Sequence, residues 1–312
     1  MSYPAPFRPI PIHESFTIVH PTPPTSDSSL GWAYLAPIVP QNTVAEIREE
    51  PISPPMEKIE VETVAVWGVP FAAVTMQGCL NFIDRWVSAH RRQAVPSGYL
   101  VTANLHYVML HHEHPRIAEV TRDASLIIAD GMPIVWRSRM GGKRLPERVA
   151  GADLIYEIAR LSAENGYRVF LFGAADGVAQ QAGERLAQMY PGLQIAGCYT
   201  PPFRALNDDE QAAMIQGIRE TRPDILLVAL GQPKGELWVL DHYRQINAAM
   251  TIQVGASFDF IIGKVQRAPK FFQKTGLEWL YRALSEPKRL IPRYMQNFRF
   301  LSKRIWRDFM GQ

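Results

Sequence analysis

Residues Ser125 to Pro133 read SLIIADGMP, and this stretch decides the fold. Leu126-Ile127-Ile128-Ala129 is an unbroken apolar run, the pattern of a strand buried on both faces. It stops at Asp130-Gly131, and a helical pattern follows from Pro133, a residue suited to a first helical turn. A carboxylate at the carboxyl end of such a strand stands where open α/β sheets place their ligands. Taken alone, Asp130 is better read as a cap for the next helix. That reading loses ground because neighbouring segments end in the same way.

Outward from this stretch, strands and helices alternate. VETVAVWGVPF predicts a strand or hairpin, and Thr75 to His90 a helix with Leu80, Ile83 and Val87 on one face. Tyr99 to Thr102 is a strand closing on Ala103-Asn104, and Leu105 to Val120 is helical but split by Pro115. Beyond SLIIADGMP come helices at Pro133 to Met140 and Leu154 to Asn165. The strand Arg168 to Phe172 follows, then the turn GAADG and the helix Val178 to Met189. LQIAGCY, Asp224 to Leu230 and Thr251 to Val254 predict three further strands, and Asn207 opens a helix that ends near Thr221. Strands separated by single helices imply βαβ units, hence a parallel sheet with right-handed crossovers. The expected fold is α/β: a Rossmann-like parallel sheet flanked by helices.

Five predicted strands end in polar or glycine-rich turns: Thr102/Asn104, Asp130/Gly131, Gly173 to Gly177, Gly231 to Glu236, and Gly255 to Asp259. In a parallel sheet these turns share one edge and converge on one crevice. Glycines let a ligand approach the backbone, and helix N-termini favour phosphate. GAADG is neither GxGxxG nor a GxxxxGK[ST] loop, which demotes dinucleotide oxidoreductases and P-loop NTPases and leaves a nucleoside diphosphate open. No DxD triplet occurs to anchor a metal-chelated sugar nucleotide. His106, His111, His112 and His114 fall on one helical stretch without a carboxylate at ligand spacing and read as a solvated face. Asp208-Asp209 suits a helix start. Glu147 and Asp153 flank Arg148 as ion-pair candidates. Neither a metal nor a cofactor is expected.

The 312 residues, 47% of them hydrophobic, suffice for one large or two ordinary domains. A net charge of +3 argues against a nucleic-acid partner. Cys79 and Cys198 form no CxxC or Cys/His cluster, which fits a reducing compartment. The N-terminus lacks a signal-peptide pattern, and no apolar run approaches the ~20 residues of a membrane span. A cytoplasmic protein is expected. Twelve of the 25 prolines lie between Pro4 and Pro55, so residues 1–58 read as a proline-rich, disordered arm.

The C-terminus carries seven basic residues, Lys288, Arg289, Arg293, Arg299, Lys303, Arg304 and Arg307. Leu290, Tyr294, Phe298, Leu301 and Ile305 recur at helical spacing as one apolar stripe. A basic amphipathic helix with aromatics suits an anionic membrane interface, and equally a helix docked on the body. Pro287 and Pro292 predict a kinked or late start.

Between about Glu60 and Tyr294 the chain carries VTANLHYV, ADGMPIVW, ERVAGADLI, VFLFGAADGVA, ILLVALGQPKGELW, GASFDFIIGKVQRAP and GLEWLYRALSEPKRL in order. In these blocks it resembles the bacterial WecG/TagA/CpsF glycosyltransferases, glycosyltransferase family 26. The resemblance implies an inverting, metal-independent transferase. It would move N-acetylmannosamine or glucose from a UDP donor to a polyprenyl-diphosphate-linked saccharide in exopolysaccharide or cell-envelope synthesis. It also implies a peripheral position on the inner face of the cytoplasmic membrane, a homo-oligomer as one assembly state, and a division into a core (59–275) and a membrane-associating appendage (276–312). Asp130 matches the proposed general base, and Thr102 and Asn104 match the sugar pocket. Arg148, Gln232, Arg282, Arg289 and Arg293 go with substrate, the last three as diphosphate clamps. Gly173, Gly231, Lys234, Glu236 and Asp259 go with the nucleotide. One departure is plain: the family usually has Pro-Lys-Gln-Glu where this chain has Pro233-Lys234-Gly235-Glu236. The expectation is that Gln232 supplies the missing amide. The rival expectation is a catalytically silent nucleotide-sugar-binding module that tethers a polysaccharide assembly complex.

Overall fold

A computed structural model describes residues 57–269, 271–272 and 275–310, with backbone alone at 289, 303 and 305–310. The proline-rich arm, apart from its last two residues, lies outside the described residues.

A hairpin, β1 (Thr63–Val66) and β2 (Val69–Ala72), precedes the sheet. The sheet itself comprises β3 (Gly98–Ala103), β4 (Leu126–Ala129), β5 (Arg168–Gly173), β6 (Gln194–Tyr199), β7 (Ile225–Ala229) and β8 (Met250–Gln253). All six are parallel, in the order β4-β3-β8-β7-β5-β6. Every residue of β3, β4, β7 and β8 is buried. These are the apolar runs that a sheet covered on both faces requires.

The helices are α1 (Met76–Arg91), α2 (Leu105–Glu113), α3 (Pro115–Asp123), α4 (Met132–Ser138), α5 (Gly151–Asn165), α6 (Val178–Met189), α7 (Asp208–Glu220), α8 (Lys234–Ile246) and α9 (Ser257–Ile261). Two more, α10 (Glu278–Ser285) and α11 (Pro287–Met310), close the chain. Their starts follow local chemistry. The Asn104 side chain accepts the Tyr107 N–H at 3.1 Å, and Asn207 and Glu210 form a reciprocal capping box on α7.

Leu80, Ile155, Leu186 and Phe258 fill one face of the sheet; Tyr107, Ile117, Ile215 and Tyr243 fill the other. So α2, which follows β3, and α9, which follows the adjacent β8, leave the sheet toward opposite faces. That divergence is a topological switch point, and it opens a crevice at the carboxyl edge between β3 and β8.

The C-terminal helix departs from its sequence reading in two ways. It begins at Pro287, where a first-turn proline gives up an N–H that has no helical partner, and it continues through Pro292 inside the helix at the cost of one backbone hydrogen bond. Its buried face runs through Leu290, Asn297 and Phe300, whereas Phe298 of the expected stripe is 66% exposed. A polar residue took the inner position because its partner, His106, lies on another element.

Candidate active site

Asp130 stands directly after β4, at the carboxyl edge of the sheet. Its backbone N–H extends the ladder to the Ala103 carbonyl at 2.9 Å, which fixes it beside the end of β3. Its Oδ1 accepts the Gly151 N–H, the first amide of α5, at 3.2 Å. Gly151 is required there: a Cβ would come within 3.2 Å of Thr102 Cγ2. Thr102 is pinned in turn, donating from Oγ1 to the Gln253 carbonyl at 2.8 Å across to β8.

Burial dominates the electrostatics of Asp130 and pushes its carboxyl up to about 7, despite the opposing pull of Arg148, the Gly151 N–H and Arg282. Glu278 adds to the upward push. A carboxylate titrating there is half ionised near neutrality and basic enough to accept a proton in a reaction. Partial exposure leaves it reachable from the crevice.

Arg148 does not pair with its sequence neighbours. It donates to Glu278 of α10 at 3.0 Å, while Asp153 takes the bidentate guanidinium of Arg267 and Glu147 accepts the Met76 N–H at 2.5 Å. Arg267 also approaches Glu278 at 3.6 Å. Arg282, one turn beyond Glu278, lays its guanidinium over the Phe260 ring at 5.3 Å, and its buried Nε meets no hydrogen-bond acceptor among the described residues.

A second group gathers around Gln232. Its Oε1 accepts from Asn104 Nδ2 at 3.3 Å and from Arg293 of α11, and its Nε2 donates to Glu236 Oε1 at 2.8 Å. Glu236 is 2% exposed, and burial holds its carboxyl above the usual range; its Oε2 has no partner among the described residues. His106 shares a 3.0 Å hydrogen bond with Asn297 and is pushed down to about 4 by burial and by Arg293, so it is neutral at pH 7. His112 bonds to the Trp67 carbonyl and stacks on Phe300, and His111 bonds to Thr121. The expected solvated histidine face is therefore largely engaged, partly as the seat of α11.

Two side-chain amides, those of Gln232 and Gln253, lie close to the turn that carries Gly235. Gln232 is occupied with Asn104, Arg293 and Glu236. The space above Gly235 holds the amide of Gln253 instead: a Cβ at 235 would stand 2.5 Å from Gln253 Nε2. That amide donates to the Leu230 carbonyl and accepts the Gly255 N–H, both at 2.8 Å.

The remaining residues singled out from sequence sit on the same edge. Gly173 ends β5 at φ +101°, where a Cβ would meet the Ala229 carbonyl at 2.8 Å. Gly231 and Lys234 are exposed at the β7–α8 turn, and Asp259 lies in α9, 4.0 Å from Lys264. Gly173, Lys234 and Asp259 make no hydrogen bond or ion pair with either group among the described residues. The Arg289 side chain lies outside the description. Glu278, Arg267, Asn297 and Gln253 were not foreseen. Three of them lie inside or beside the quoted motifs GLEWLYRALSEPKRL, GASFDFIIGKVQRAP and ILLVALGQPKGELW in space, but only the fold reveals their partners. Among the described residues no three His, Cys, Asp or Glu side chains gather to hold a metal ion.

Comparison with known proteins shows the family. A family model, Glycosyl transferase WecG/TagA/CpsF family, matches residues 64–312. An N-acetylglucosaminyldiphosphoundecaprenol N-acetyl-beta-D-mannosaminyltransferase of Staphylococcus aureus (strain MW2) is 31% identical over 234 residues, 75% of this chain and 89% of the relative. Proteins of the same description from strains NCTC 8325 / PS 47 and MRSA252 match at the same identity and coverage. The chain, with its carboxylate at the switch-point edge and its helical C-terminus folded over that edge, belongs to the WecG/TagA/CpsF glycosyltransferase family.

Proposed function

We propose that this protein is an inverting hexosyltransferase that moves N-acetylmannosamine or glucose from a UDP donor to a polyprenyl-diphosphate-linked saccharide in surface-polysaccharide synthesis. The observation that carries this reading is Asp130, a strand-end carboxylate raised to about 7 beside the guanidinium groups of Arg148 and Arg282. Asp130 takes the proton of an acceptor hydroxyl as that oxygen bonds to the anomeric carbon of the donor. The anomeric carbon–phosphate oxygen bond breaks on the opposite side, its electron pair leaves with UDP, and the configuration inverts. Arg282, whose buried Nε has no partner among the described residues, suits a diphosphate oxygen, and Arg293 reaches the same crevice beside Gln232. Thr102 and Asn104 line the sugar side; Gly173, Lys234 and Asp259 line the nucleotide side.

The C-terminal helices supply the route to a lipid-linked acceptor. Leu284 is 73% exposed, Phe298 66%, Met295 58% and Ile291 49%, interspersed with the exposed Lys288 and Arg299. Apolar side chains among basic ones suit an anionic membrane surface, here the inner face of the cytoplasmic membrane. No helix among the described residues is long and apolar enough to cross a membrane.

The test is UDP release from a panel of UDP-sugars with a short-chain polyprenyl-diphosphate saccharide. Acceptor-dependent turnover with one donor is expected. UDP binding without turnover on any donor or acceptor offered would overturn the enzyme reading in favour of a tethering module.

A further inference from the structure

Arg148 and Asp130 are natural partners: opposite charges converging on one crevice, with Arg148 three residues before the Gly151 amide that holds Asp130 Oδ1. A direct pair would lower the basicity of Asp130 and tie up the carboxylate. The structure avoids this. Arg148 turns to Glu278, at 3.0 Å, and the two side chains are only 15% and 14% exposed, so water screens little of their attraction. Glu278 is held from behind by Arg267 at 3.6 Å, and Arg267 is itself fixed by two hydrogen bonds to Asp153 on α5.

The charged groups that act on Asp130 are thus Arg148 from the loop before α5, and Glu278 and Arg282 from α10. Of these, Glu278 alone is anionic, and it comes from the C-terminal helices, not from the sheet. We propose that Glu278 is a positioning residue for catalysis: as counter-ion to Arg148 it keeps that guanidinium off Asp130, so the base is fully basic only while α10 is docked. This rests on Asp130 acting as the general base. Docking of α10 then does more than close the crevice, because it sets the proton affinity of the reacting carboxylate.

The test uses the full chain with 13C-labelled aspartate carboxyls, the Asp130 signal being assigned by its loss in Asp130→Asn. The wild-type midpoint is expected at about 7. In Glu278→Gln, which keeps shape and removes charge, it should fall by about one pH unit, a tenfold change in acid dissociation. Glu278→Asp, which keeps the charge, should stay near wild type. In turnover, the acid limb of kcat/KM should move down with the midpoint and the plateau should drop about threefold, as a weaker base requires. Simple structural damage would lower the plateau and leave the limb in place. An unchanged or raised Asp130 midpoint in Glu278→Gln overturns the inference even if Asp130→Asn abolishes transfer. A lowered midpoint in a protein that transfers no sugar would uphold the counter-ion role and sink the general-base reading instead.

Discussion

The two walls of the crevice are made differently. The sheet wall consists of strand ends whose positions follow from buried apolar runs and backbone ladders, and it sets Asp130, Thr102 and Asn104 to hydrogen-bond accuracy. The C-terminal wall is two helices held by side-chain polar contacts: Glu278 to Arg148, Arg293 to Gln232, and Asn297 to His106. Its outward side carries exposed apolar residues. The first wall is a product of hydrophobic burial, worth ~25 cal/mol per Å2 and spread over many contacts in a close-packed core. The second depends on a handful of directional contacts, each worth on the order of 1–3 kcal/mol. The first wall therefore supplies a fixed base, and the second can be ordered or released with modest energy.

Substitutions can break or sharpen this contrast. Apart from loss of the base itself, the largest effect is expected in the sheet wall. Gly235→Gln forces a side chain into the Gln253 amide, and transfer should fall by about 100-fold, with about 1–3 kcal/mol lost from stability. Adding Gln253→Gly should restore most of both, measured by donor kinetics and thermal unfolding. If the double variant is as poor as the product of the singles, the two positions do not share one space.

A smaller effect follows from the burial of the base. The Asp130 pKa in the folded chain lies above its unfolded value, so the folded state holds more protons between about pH 4 and 7. Stability is therefore greater at low pH and is lost as pH rises through that window. Asp130→Asn should remove this slope and be more stable than wild type at pH 8, by on the order of 2 kcal/mol. Denaturant melts at several pH values would read it.

The smallest effect belongs to the outer side of the C-terminal wall. Leu284→Glu with Phe298→Glu should weaken sedimentation with anionic vesicles about 10-fold. Transfer to a short, soluble acceptor should remain within about twofold, since both side chains are exposed and outside the polar contacts that hold the crevice. Equal loss in both assays would mean that these residues shape the crevice itself.

The same contrast explains what could be read from sequence. SLIIADGMP placed Asp130 because a buried strand announces itself by composition and a parallel sheet sends every strand end to one edge. The start of α7 at Asn207 was legible too, whereas the cap that Asn104 provides for α2 appears only in the structure. Glu278 and Asn297 gave no comparable signal. Their partners, Arg148 and His106, lie 130 and 191 residues away in sequence, and no periodicity encodes such a pairing. The apolar stripe through Phe298 left two readings open for a related reason: helical spacing finds an apolar face without saying whether protein or another phase covers it. Gln253 was hidden because its role, filling the space above Gly235, exists only once β8 and α8 are adjacent.

The central claim is that Asp130, held at the sheet edge, is the base. The most direct measurement is acceptor-dependent UDP release against pH for wild type and Asp130→Asn. An acid limb near 7 is expected in the wild type, and a loss of about 1000-fold in the variant, with that limb gone. A variant that retains both the rate and the limb would contradict it.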